Sequence, residues 1–260
     1  MAIYYGKYKI LNSLISACDP EYVLSSITQS IKKKSSLVIA PVASHPVVFS
    51  LFDIDYQRIL NSFDLVISDS FYLTYSLRLL YQIKIKNRVY GPDLFIKICK
   101  FCEEKNYKIL LFGNDAFTVK KKLHADFPSL RIDCLGATGK LVADKELYLL
   151  KRMIKKTDPE LIFIGIGSPK QHFVAYNLLK VNKPIVAVGA AFSFVSGRIP
   201  QAPSWVGKLG FEWLFRLLKE PKRLWKRYLI FGPLFAILVV AQKFHNKDNE
   251  NSSNSQLLSL

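Results

Sequence analysis

Short apolar runs recur along the chain, and between them apolar residues return every three or four positions. The runs at 36–41 (SLVIAP), 65–68 (LVIS), 108–112 (KILLF), 131–135 (RIDCL), 161–166 (LIFIGI) and 184–188 (PIVAV) predict strands. Helices are predicted at 71–80, 116–126, 146–156 and 171–180, with another opening at Leu94. In 146–156 the period is explicit, since Leu147, Leu150, Met153 and Ile154 fall on one face. Strands that are apolar throughout, rather than alternating, belong to a sheet covered on both faces. Alternation of strand and helix then predicts an α/β fold with a mostly parallel sheet. Ligands of such sheets bind beyond the carboxyl ends of the strands. That singles out the segments 41–45, 69–70, 113–115, 167–171 and 189–193.

Composition narrows the class. Half of the 260 residues are apolar, enough for one large domain or two small ones and too many for a disordered chain. Four cysteines are too sparse for a disulfide scaffold. The opening residues lack a continuous apolar stretch of the secretory kind, so a cytosolic setting with reduced thiols is expected. Cys99 and Cys102 form a C-x-x-C, read as buried neighbours on one helix, with no partner spacing for zinc.

Charge changes the picture more. The formal net charge is +17, with 37 Lys and Arg against 20 Asp and Glu. Between Arg198 and Arg227 there are eight basic residues and two acids, interleaved with all three tryptophans. The most apolar run follows directly, 228–241 (YLIFGPLFAILVVA). It is shorter than the roughly 20 residues a spanning helix needs. A basic, Trp-rich segment joined to a short apolar one is expected at an anionic bilayer interface, with a core helix or subunit contact as the other reading. No nucleic-acid-binding motif is present, and no nucleic-acid partner is expected. The chain thus divides into a core at 1–197, a basic helical C-terminal appendage at 198–245, and a polar tail at 246–260 expected to be disordered. Nothing in the sequence sets an oligomeric state.

Several residues could carry chemistry. Asp69 follows an apolar strand directly, where a carboxylate can accept a proton from an incoming hydroxyl or cap the next helix; Ser70 is the other candidate cap. In GIGSPKQ, Gly167 allows a tight turn, Ser168 suits a helix N-cap, Pro169 suits the first helical position, and Gln171 offers donor and acceptor. A helix opening there favours a phosphate. Gly113-Asn114-Asp115 reads as a plain strand-to-helix turn. Arg88, before Gly91-Pro92-Asp93, could meet a phosphate or a surface acid. The four histidines are too dispersed for a metal site, so no metal and no cofactor are expected.

In their order, VISDSFYL, RVYGPDLF, KILLFGNDAF, DPELIFIGIGSPKQHF and the long block from VAVGAAFSF to LKEPKRLWKRY resemble the WecG/TagA/CpsF family of bacterial glycosyltransferases. The resemblance spans about Lys34 to Tyr228. It implies a Rossmann-like core and inverting, metal-independent transfer. The donor would be a UDP-sugar of the N-acetylmannosamine type or its uronic acid. The acceptor would be a polyprenyl-diphosphate-linked saccharide at the inner face of the cytoplasmic membrane. It implies Asp69 as general base. As substrate-binding residues it implies Arg88, Gln171 within the Gly167-Ser168 turn, and the appendage arginines Arg216, Arg223 and Arg227. The chain departs from the family pattern where T-x-N becomes Ala40-Pro41-Val42, where Asp becomes Ser193, where R-A-P becomes Gln201-Ala202-Pro203, and where Ser70 replaces Gly. These losses of polar groups point to an altered donor or acceptor, or to a relative that binds nucleotide-sugar or lipid-linked glycan without transfer.

Overall fold

All six predicted strands form, each paired with its neighbours in one eight-stranded sheet of order β1-β2-β4-β3-β8-β7-β5-β6. The computed structural model describes residues 2–85, 89–137, 144–202 and 211–257, with backbone alone for Glu212 and 247–257. The strands are β1 Tyr4–Ile10, β2 Ser13–Cys18, β3 Leu37–Val42, β4 Leu65–Ser68, β5 Ile109–Gly113, β6 Ile132–Gly136, β7 Leu161–Gly165 and β8 Pro184–Val186. The helices, in chain order, are α1 Pro20–Lys33, α2 Ser44–Phe49, α3 Ile54–Asn61, α4 Phe71–Tyr81, α5 Gly91–Glu104, α6 Ala116–Asp126, α7 Asp144–Thr157, α8 Lys170–Asn177, α9 Ala191–Val195, α10 Glu212–Lys219, α11 Pro221–Trp225 and α12 Phe231–Leu257. β1 and β2 form an antiparallel hairpin at one edge, and every other pairing is parallel.

The alternation within each strand divides the core in two. Val38, Ala40, Leu110, Phe112, Ile162 and Ile164 face α2, α3, α4, α7 and α8. Leu37, Ile39, Ile109, Leu111, Leu161 and Phe163 face α1, α5, α6 and α9. Each fully buried aliphatic or aromatic side chain contributes about 1.5–3 kcal/mol, so the continuous runs are what a two-sided core requires. Cys99 and Cys102 lie fully buried on α5, as their helical spacing implied. Gly113 and Gly165 stand opposite each other in the β5–β7 register. A Cβ at either would come within 2.9 Å of the Phe192 ring, so two glycines leave the space that this ring fills.

Three features position the site. First, Asp69 N–H donates to Val42 O at 2.8 Å, carrying the β3–β4 ladder one residue past β4. Second, the chain then crosses the sheet to β5, and that crossover lays the start of α5 against the carboxyl end of β4. Third, the apolar C-terminal run is part of a longer helix than its own length suggests. α11, a π-helical segment Lys226–Ile230 and α12 follow one another directly. Pro233 explains the widened turn, because its ring crowds the carbonyl four residues back. The helix Pro221–Asn246 is long and apolar enough, by length and composition, to cross a membrane. One of its faces is committed to the core: Phe235 and Val239 are buried in the layer holding α2 and α4. Gln242 clamps the β1–β2 turn, accepting from Leu11 N–H at 2.8 Å and donating to Lys9 O at 2.9 Å.

Candidate active site

The β4–α4 junction shows which of two candidate residues caps α4. Ser70 caps α4, accepting from Leu73 N–H at 3.3 Å. Asp69 Oδ1 instead accepts the N–H of Gly91, the first residue of α5, at 2.5 Å. A carboxylate at a helix N-terminus meets the positive end of its dipole. Gly91 makes the approach possible, since a Cβ there would lie 3.1 Å from Asp69 Oδ1.

Asp69 lines a cavity of about 410 Å³ together with Arg216 and Arg227 from the C-terminal segment. Its remaining walls are largely apolar or aromatic, including Phe71 on α4 and Trp213, Leu229 and Pro233 from the C-terminal helices. Trp213 and Tyr228 pack with ring centroids 6.0 Å apart, joining α10 to the long helix. The Arg216 guanidinium lies 5.2 Å from the Phe194 ring, tying α10 to α9 of the core. Its Nε is buried and has no hydrogen-bond partner among the described residues. Burial pushes the Arg227 pKa below its ordinary value; Arg216 and Arg223 push the same way, and Asp69 opposes them. Two crowded guanidiniums facing one carboxylate make a site that favours a multiply charged anion.

Other expected site residues stand elsewhere. Arg223 forms an ion pair with Glu220 and does not line the cavity. Arg88 lies outside the described residues. Gly167 adopts a positive φ of 86°. Ser168 is not a helix cap: α8 begins at Lys170 after a cis Ser168–Pro169 bond, and its N-cap Pro169 offers no side-chain bond.

Gln171 is buried rather than presented to solvent, and the sheet register explains why. Ala187 N–H donates to Ile39 O at 2.9 Å. In a parallel ladder the residue at 41 would return a bond to Ala187 O, but Pro41 has no N–H. Gln171 Nε2 supplies that bond at 3.0 Å. Its Oε1 is buried without a partner among the described residues. Gln171 is thus held on the β8 side of the carboxyl end of β3, whereas Asp69 follows β4 on its other side. Below Gln171, the fully buried His172 shares a 2.6 Å hydrogen bond between Nδ1 and the Tyr56 hydroxyl.

At the end of β5, the turn read as plain carries a polar cluster. Ser193 Oγ donates to Asp115 Oδ2 at 3.1 Å, and Arg198 Nη2 lies 2.9 Å from the same oxygen. Asp115 thus brings a carboxylate beside Ser193. Among the described residues no group of three or more His, Cys, Asp or Glu side chains gathers to hold a metal. Tyr90 and Tyr228 line the Asp69 cavity together with Trp213; their signal in the sequence is the interleaving of aromatics with arginines and with the Gly91-Pro92 turn.

Comparison with known proteins places the chain among glycosyltransferases. One relative is the N-acetylglucosaminyldiphosphoundecaprenol N-acetyl-beta-D-mannosaminyltransferase of Bacillus subtilis strain 168, 28% identical over 222 residues, 84% of each chain. The enzyme of the same name from Bacillus spizizenii strain W23 is 27% identical over 179 residues, 67% of each chain. Residues 8–249, nearly the whole described structure, match the profile of the glycosyl transferase WecG/TagA/CpsF family. With a family match of that extent, the chain belongs to the WecG/TagA/CpsF family and is a glycosyltransferase.

Proposed function

We propose that the protein moves a sugar of the N-acetylmannosamine type, or its uronic acid, from a UDP-sugar to a polyprenyl-diphosphate-linked saccharide. The work takes place at the inner membrane face and serves surface polysaccharide assembly. The observation that carries this reading is a single cavity shared by Asp69, Arg216 and Arg227, with apolar walls around them. An acceptor hydroxyl oxygen forms the new bond to the anomeric carbon while the bond from that carbon to the β-phosphate oxygen breaks. The hydroxyl proton passes to the Asp69 carboxylate, and UDP departs with the bonding electron pair. Attack from the face opposite the leaving group inverts the anomeric centre. Arg216 and Arg227 neutralise the charge that develops on the diphosphate, the task a metal performs in other sites. The bond from Gly91 fixes the carboxylate so that it waits in place for the hydroxyl.

Two features support the lipid-linked acceptor: the names of the two Bacillus relatives and the amphipathic lining of the cavity. The test is a screen of UDP-sugars against a polyprenyl-diphosphate saccharide, with the product read by mass. Asp69→Asn, with an unchanged melting curve, is expected to lose at least about 100-fold in turnover, the usual scale of general base catalysis. Near-normal turnover would remove Asp69 from that role.

A further inference from the structure

Helix α4 is apolar on two faces. Leu73, Ser76 and Leu77 are buried beneath it, and Arg78 is the one charged residue between Phe71 and Tyr81. Its outer face carries Phe71, Tyr72 and Tyr75, exposed at 53%, 44% and 52%. Phe71 and Tyr75 stack at 6.3 Å. A solvated helix face ordinarily carries charge, and a contiguous exposed apolar patch marks a surface that meets something. The patch does not stop at α4. Phe71 and Tyr72 share the walls of the catalytic cavity with Leu229, Pro233 and Ala236. Further along, Tyr75 and Arg78 share a second groove, of about 730 Å³, with Lys243 and Asn246. The two helices therefore run side by side, and on α12 the outward residues Ile237, Val240 and Phe244 are also exposed. An apolar strip leads from the mouth of the cavity along both helices, with Arg78 and Lys243 at its far end.

We propose that α4, an element of the core, and the C-terminal helix together form one seat for an anionic bilayer. Phe71, Tyr72 and Tyr75 lie at the boundary between headgroups and acyl chains, and Arg78 and Lys243 meet lipid phosphates. The proposal rests on the preceding reading of a lipid-linked acceptor. A bilayer fits the strip better than a protein partner for two reasons on the same surface. Aromatic rings flanked by Lys and Arg are the composition of an interfacial helix, and a net charge of +17 favours an anionic surface. The cavity then opens at lipid level, so an acceptor reaches Asp69 sideways while its isoprenoid tail stays out of water.

The test uses the full chain and vesicles of phosphatidylcholine with phosphatidylglycerol. Tyr75→Ser/Arg78→Glu lies outside the catalytic cavity and alters exposed positions. The matched control, Tyr148→Ser/Lys151→Glu, changes exposed positions on α7, toward the opposite edge of the sheet. We expect the α4 pair to partition at least tenfold more weakly, because one aromatic leaves the interface and one basic charge is reversed. The α7 pair is expected within twofold of the parent. With a water-soluble short-chain acceptor the α4 pair keeps its turnover, and with a vesicle-borne acceptor it loses it. Parent-like vesicle binding by the α4 pair, or an equal loss in the α7 pair, overturns the seat. Failure of the parent itself to bind overturns the membrane reading beneath it. If the parent binds and the α4 pair does not, yet the parent transfers no sugar, the acceptor assignment fails while the seat stands.

Discussion

His172 carries no charge in the folded protein. Burial pushes its pKa down to about 3, against an ordinary value of 6.5. Below pH 6.5 the unfolded chain takes up a proton that the native chain refuses, so stability is full above that pH and drains away as the pH falls. Between pH 7 and pH 5 the loss from this residue is about 2 kcal/mol. His45 acts in the same direction, its pKa lowered by burial and then by Arg227. Urea unfolding of His172→Gln isolates the first residue: Gln does not titrate and still offers an acceptor to Tyr56. The difference in stability between pH 7 and pH 5 should shrink by about 2 kcal/mol relative to the parent; an unchanged difference would mean that His172 titrates normally. Residue-scale chemistry was partly legible in the sequence. A carboxylate directly after an apolar strand singles out Asp69, but that Ser70 caps α4 while Asp69 accepts from Gly91 needs the structure. Arg223 and Arg227 look equivalent in sequence. Glu220 neutralises the first, and the π-helical segment that begins at Lys226 turns the second into the cavity.

Elements were legible where periodicity was strong. The six central strands and α4, α6, α7 and α8 follow from it, with ends within a few residues. The β1–β2 hairpin does not, because its turn contains no glycine and Leu11 takes the left-handed conformation at φ 52°. α2 and α3 have six and eight residues, too few for a period to declare itself. Register is a further level that no single strand encodes. Gln171 completes the β3–β8 ladder only because Pro41 falls opposite Ala187 O, a fact held jointly by three segments. The relation can be tested by a double-mutant cycle. Gln171→Leu strands a buried carbonyl and should cost about 1–3 kcal/mol. Adding Pro41→Ala restores an N–H facing that carbonyl and should recover about 1 kcal/mol of the loss, measured by denaturant unfolding. Strict additivity of the two changes would show that Ala187 O does not depend on Gln171.

At the scale of the whole molecule, the cavity that holds Asp69 is a joint between the sheet and the C-terminal helix. Asp69 comes from the core, Arg216 and Arg227 come from residues that the sequence marks as a basic appendage, and the joint holds because Phe235 and Val239 are buried against α2 and α4. The helix is otherwise mostly exposed; Phe231 and Leu234 pack partly against the same layer, the Phe231 ring meets His45 edge-on at 5.0 Å, and Gln242 holds the β1–β2 turn. A cavity left by Phe→Ala in a core costs about 3–5 kcal/mol. Here that cost falls on a docked helix rather than on the sheet, so Phe235→Ala should release the helix while the sheet stays folded. Amide exchange over 231–246 is then expected to rise toward the rate of free peptide, with the amides of β3, β5 and β7 still protected. Turnover should fall at least tenfold even with a water-soluble acceptor, because Arg227, carried on the continuous helix, leaves the carboxylate behind. Phe235→Leu, which keeps most of the buried volume, should restore both readouts. Protected helix amides together with normal turnover in Phe235→Ala would mean that Arg227 reaches the cavity without this anchor.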